Sequence, residues 1–171
     1  MLTTSMRISK INFPVLSVLL LFLCAVASND AQTSPAPVPR IYAQKLVEQT
    51  LAAHPELLGL ELAATPPGKT QCVTIASSET KGIGEKCDKD EFTAMKTNKP
   101  FIEKEKENGK EVYDVTIPIH DANGKIIATA GIDFKPAPDQ SDAKVTELSQ
   151  QIAKELETKV TTKERLFEPV G

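Results

Sequence analysis

Residues 112–134, VYDVTIPIHDANGKIIATAGIDF, constrain this fold more than any other stretch: two alternating apolar runs meet at Asp121, Ala122, Asn123 and Gly124. Asn-Gly between alternating strands is the strongest short-range hairpin signal. Whether the loop takes two residues or four, the register slips by two and parity is kept. Tyr113, Val115, Ile117 and Ile119 then share a face with Ile126, Ala128, Ala130, Ile132 and Phe134. That face is apolar throughout. The opposite face carries Asp114, Thr116, Pro118 and His120 beside Ile127, Thr129, Gly131 and Asp133, a mixture that either meets water or lines a polar pocket.

The amino-terminal end is built like an export signal. Arg7 and Lys10 precede the apolar run VLSVLLLFLCAVA, and Ala25, Val26 and Ala27 form a small-x-small cleavage site. The run is short of the roughly 20 residues that cross a bilayer. Leu23 stands before Cys24 where lipid attachment wants a small residue. Residues 1–27 are therefore expected to be removed, leaving a chain suited to one domain outside the cytoplasm. Without Arg7 and Lys10, 18 basic groups face 23 acidic ones. This balance argues against nucleic acid as a partner. Cys72 and Cys87 would remain in an oxidising compartment and are expected to pair, closing a loop worth about 3 kcal/mol in the chain-entropy model. Neither lies in a Cys-x-x-Cys pattern, so redox catalysis has no support from the sequence.

The remaining chain divides into short elements. Residues 28–39 are rich in Pro, Ala and Ser and read as a flexible linker. Ile41, Leu46, Val47, Leu51 and Ala52 recur at helical spacing before Pro55. Residues 57–64 and 70–77 read as strands flanking the turn TPPGK, and 78–86 reads as a loop. A helix is expected over 89–96 with Asp88 as its cap, followed by a charged edge strand over 101–107. Val145, Leu148, Ile152, Leu156 and Val160 mark one stripe of a final helix, which either docks on the domain's own core, leaving a monomer, or pairs with a second copy as a homodimer. The order predicts an α+β domain over residues 40–171, with an antiparallel sheet of about five strands, a long N-terminal helix and a C-terminal amphipathic helix.

This order, with AAHPELLGLELAA, IASSETKGIGEKC and above all VTIPIHDANGKIIATAGIDF, resembles the Cache domains, PAS-like extracytoplasmic sensors. The resemblance covers residues 40–134. It implies a sensor-like domain in which an acidic residue ending the last strand, here Asp133, receives a ligand's ammonium. The family's amino-acid pattern adds an Arg-Trp-Tyr cluster for the carboxylate. This chain has no Trp, and residues 71–101 contain no Arg or Tyr. Family members feed a membrane-bound output, so a chain that stops at Gly171 would need a membrane-bound signalling partner.

The hairpin register reaches Asp133 independently. It groups Asp133 with Thr116, Thr129 and Asp114, and a two-residue loop would set Asp114 directly opposite Asp133. Two opposed carboxylates repel, so a primary amine, a polyamine or a divalent metal would gain by binding there, with both threonines supplying hydroxyls. The loop over 77–86 would cover the ligand. His54 and His120 show no zinc spacing and are expected to be solvated, and no motif organises a catalytic group. The expectation is a secreted, non-enzymatic domain without cofactor or resident metal that captures a small polar, amine-bearing metabolite. The alternative is an envelope interaction module that keeps the fold without a pocket.

Overall fold

The central hairpin closes on neither two residues nor four. In the computed structural model, which describes residues 40–107 and 110–170, Asp121 N–H donates to the Lys125 carbonyl and leaves Ala122, Asn123 and Gly124 as the loop. Gly124 takes φ of 76°, and the Asp121 carboxylate accepts from the N–H groups of Asn123 and Lys125. A loop of odd length would reverse the facing of one strand. A bulge where His120 pairs with Ile126 and Ile119 with Ala128 adds the compensating residue, Ile127. From there the pairing follows the two-residue register, with Ile117 opposite Ala130 and Asp114 opposite Asp133. The bulge also moves Ile127 from the expected polar face into the core, where it is 7 % exposed, and leaves Ile126 half-buried opposite His120.

The elements run α1 (Tyr42–Ala53), β1 (Leu57–Ala64), β2 (Val73–Ser77), a 3₁₀ turn (Thr80–Gly82), α2 (Lys89–Thr97), β3 (Phe101–Glu107), β4 (Lys110–His120), β5 (Ile126–Phe134), α3 (Asp142–Lys159) and a second 3₁₀ turn (Glu164–Phe167). All strand pairs are antiparallel, and the sheet order is β2-β1-β5-β4-β3. The architecture is the α+β, PAS-like one. The export signal expected over 1–27 and the linker over 28–39 lie outside the described residues.

α1 and α3 bury Leu46, Val47, Val145, Ile152 and Leu156 against Val115, Ile117, Ala130, Ile132 and Phe134. The stripe of α3 therefore docks on the domain's own core. α2 starts with a capping box, in which Asp88 accepts from Asp90 N–H and Glu91 accepts from Asp88 N–H. It ends at Asn98 in the left-handed conformation. It crosses the other face of the sheet, where Met95 packs with Ala63 and the paired Cys72 and Cys87. At the edge, the Gln44 side chain donates to the Ser77 carbonyl and accepts from Ser77 N–H, which joins β2 to α1.

Candidate functional site

The register across three strand pairs sorts the second face into rows. Residues directly opposite one another point to the same side. One row runs Gly59, Asp133, Asp114, Glu103, and the next runs Ser77, Glu61, Gly131, Thr116, Phe101. Thr129, one row further, lies opposite Ala63 on one side and Pro118 on the other.

These rows floor a cavity of about 610 Å³. Of the four residues expected at a site, Asp133, Asp114 and Thr116 line it together. Thr129 is not among its lining residues; it is 1 % exposed, and its hydroxyl finds no partner among the described residues. Parity gave Thr129 the same face, but α2 crosses that end of the sheet, with Met95 against Ala63.

The walls add what local sequence reasoning left out. Glu61 enters from β1, Asp88, Asp90 and Glu91 from the start of α2, and Glu105 from β3. The segment after β2 contributes Ser78, Glu79, Lys81, Gly82 and Glu85. It is framed by the Cys72–Cys87 disulfide, whose Cα atoms are 5.4 Å apart. Backbone bonds from Cys87 N–H to Cys72, Thr74 N–H to Glu85 and Gly84 N–H to Thr74 fasten it to β2. The covering loop expected from the sequence is thus present as a wall of this cavity. The one signal for Glu61 was a lone charge within the apolar run LLGLELAA.

Two glycines make room for the carboxylates. A Cβ on Gly59 would stand 2.6 Å from Asp133 Oδ2, and one on Gly131 would stand 3.0 Å from Glu61 Cγ and 3.3 Å from its Oε1. Asp133 therefore leans over β1, while Glu61 lies across β5.

Burial pushes the Asp114 carboxyl up to about 7, reinforced by the charges of Asp133, Asp90, Glu105 and Glu61. Burial likewise lifts Glu61 to about 7, with Glu91, Asp133, Glu85 and Asp88 adding repulsion. Asp90 is raised by burial and then by Glu103 and Asp88. Among the described residues, no group of three His, Cys or acidic side chains is arranged to hold a metal ion.

Neither histidine lines the cavity. His54 bridges Glu56 and Glu155, each at 3.0 Å, and His120 bridges Glu157 at 2.6 Å and Asn98 at 2.7 Å. The expectation of solvated histidines is corrected here. Both are pins that hold α3 through its glutamates, a contact between distant segments that local sequence does not announce.

No protein-family model matches the chain, and no curated protein matches it. Solved structures do. The chain is similar to the repressor BlcR of Agobacterium tumefaciens, with a TM-score of 0.50 and 13 % identity over 72 % of this chain and 68 % of that one. At this identity the likeness concerns the fold. Structural neighbours also include sensor domains. The GAF domain of a two-component sensor histidine kinase from Bacillus halodurans has a TM-score of 0.49 at 11 % identity, covering 70 % and 93 % of the two chains. The E. coli DcuS sensor domain has a TM-score of 0.40 at 17 % identity, covering 64 % and 71 %.

Proposed function

We propose that this chain is a secreted, non-catalytic, Cache-like domain that captures a small, polar, amine-bearing metabolite reversibly and presents it to a membrane-bound partner. The observation that carries the reading is the cavity of about 610 Å³ whose floor gathers Asp114, Asp133 and Glu61. That volume falls within the range of small-molecule sites, which are mostly preformed and few per protein. Among the described residues the lining supplies hydrogen-bonding and charged groups suited to holding a polar ligand. Capture alone is the economical use of it. Export is supported by the signal-like residues 1–27 and by the Cys72–Cys87 disulfide, which suits an oxidising compartment.

The second reading, an envelope interaction module, draws on the exposure of Leu58, Ile83 and Phe92. Apolar side chains exposed singly are common on soluble proteins, so this carries less weight than the cavity.

Thermal unfolding of the disulfide-bonded protein against amines, amino acids, carboxylates, nucleobases and divalent metals tests the choice. An amine at about 100 times its dissociation constant should add about 2.7 kcal/mol, a shift of several degrees. The shift should vanish in Asp133→Asn. No shift with any compound would favour the interaction module.

A further inference from the structure

Thr129 is the part of the second face that the acidic cavity leaves unexplained. It is 1 % exposed, and its hydroxyl has no hydrogen-bond partner among the described residues. Buried polar groups in folded proteins are nearly always paired, so an orphan of this kind asks for a reason. The larger cavity does not supply one, because Thr129 is not part of its lining. A trapped water would need two to four polar partners. The residues across the strands from Thr129 are Ala63 and Pro118, which offer no polar side chain. Ala63 in turn packs with Met95 of α2 and with the paired Cys72 and Cys87. In these apolar surroundings the group that can acquire an oxygen acceptor is the Met95 thioether.

Met95 is also within reach of solvent. It is half-buried and lines a second cleft, of about 310 Å³, together with Ala64, Ile127 and Ala128. Hydrogen peroxide converts such a thioether to the sulfoxide. The Sδ lone pair takes one peroxide oxygen, the O–O bond breaks, and the other oxygen leaves as water with both protons. Sulfur is oxidised by two electrons and the peroxide is reduced by two. The reaction exchanges a weak acceptor for a strongly polar one. Directly opposed residues of a sheet have Cβ atoms about 5 Å apart, so the Thr129 side chain stands one such spacing from Ala63, the residue that Met95 covers.

We propose that Met95 is a site of oxidation by peroxide, and that the Thr129 hydroxyl donates to the resulting sulfoxide oxygen. This bond keeps α2 seated on the sheet after oxidation, and with it Asp88, Asp90 and Glu91 on the wall of the larger cavity. The chemistry is independent of what that cavity binds.

The test treats the disulfide-bonded protein with hydrogen peroxide and follows Met95 by peptide mass mapping. Met95 should gain one oxygen at a rate within about tenfold of that in the guanidinium-unfolded chain, and slower oxidation overturns the site. Thr129→Val keeps the shape of the side chain and removes the hydroxyl. Before oxidation it should be at least as stable as the natural chain, because it deletes an unpaired buried group. After oxidation its unfolding midpoint should fall by at least about 3 °C more than that of the natural chain. Thr129→Ser, which keeps the hydroxyl, should show the smaller fall. Met95→Leu should show no change with peroxide. Equal falls in the natural chain and Thr129→Val overturn the bond to the sulfoxide, as does a Thr129→Val protein that is the less stable one before oxidation. A fall that persists in Met95→Leu overturns Met95 as the sensitive residue.

Discussion

The two faces of one sheet are built from neighbouring residues by opposite rules. On β5, Ala130, Ile132 and Phe134 meet α1 and α3 in a core that is almost wholly closed, with Ile132 at 0 % and Phe134 at 1 % exposure. One residue over, Gly131 and Asp133 open onto a cavity crowded with carboxylates. The first face stabilises the fold by burying apolar surface. The second works against it, because desolvated like charges raise the energy of the folded state unless they take up protons or a cation. A chain that keeps such a face beside a well-packed one gives up stability for a local property, and a cavity of this size is where that property would act.

The contrast should be largest between adjacent substitutions on β5. Ile132→Ala removes a fully buried side chain and should cost about 2–5 kcal/mol in chemical denaturation. Gly131→Ala should cost about 1 kcal/mol or less, because its Cβ meets only the Glu61 side chain, with Cγ at 3.0 Å and Oε1 at 3.3 Å, and that side chain can shift by a few tenths of an ångström. If Gly131→Ala proves as costly as Ile132→Ala, the cavity face is as tightly packed as the core and the contrast fails.

Next in size is the frame of the cavity wall. Replacing Cys72 and Cys87 together by Ser should lower stability by about 3 kcal/mol in the chain-entropy model, since the loop they close spans 15 positions. Proteolysis should then cut first between Ser78 and Lys86, the segment fastened to β2 across the disulfide. A first cut elsewhere would mean that the wall is held by its own packing.

The apolar face was readable from sequence because it is local. Alternation in 112–134 and the Asn-Gly turn fix parity, and parity alone places Val115, Ile117 and Ile132 in the core. The residues 57–64 and the Asp88 cap follow equally short rules, and the structure keeps them. The bulge at Ile127 was not readable, because two irregularities that cancel leave no trace in the alternation beyond them. The acidic face is only half local. Asp114 opposite Asp133 follows from the hairpin, but Glu61 reaches them only because β1 inserts beside β5. That pairing joins strands far apart in the chain, and no turn between them announces it. Thr129 shows the same limit, since parity gives a residue its face but not the helix that will cross above it.

The acidic face also gives stability a pH dependence of unusual sign. Asp114 and Glu61 titrate near 7 in the folded protein, against ordinary values of 3.8 and 4.5. Between those limits the folded state holds more protons than the unfolded one, so stability falls as pH rises. The penalty is absent below about pH 4 and complete above about pH 7. After allowance for partial solvation it should amount to about 1–2 kcal/mol for each group. The groups facing them are Asp133, Asp90, Glu105, Glu91, Glu85 and Asp88, all of the same sign. Denaturation midpoints at pH 5 and pH 7 should therefore differ in the natural chain. The double variant Glu61→Gln, Asp114→Asn should remove most of the difference and be the more stable protein at pH 7. A difference that survives the double variant would place its origin outside the cavity.

The smallest expected effect comes from the closed side and occupies a different window. Burial tends to lower the His54 pKa, but its bonds to Glu155 and Glu56 outweigh that and raise it above 6.5. A histidine raised on folding contributes stability that is fully present below 6.5 and is lost as pH rises through the folded value. Because Glu56 and Glu155 are well exposed, the contribution should stay below about 1 kcal/mol. Both faces thus weaken the protein as pH rises, the carboxylates from about pH 4 to 7 and the histidine only above 6.5. His54→Gln in the background of the cavity double variant isolates the second. The remaining loss between pH 6.5 and 8 should disappear, while stability between pH 4 and 6 changes only by a constant offset. If the loss above pH 6.5 persists without His54, the pin on α3 carries no proton-linked stability and the grip of that helix is apolar packing alone.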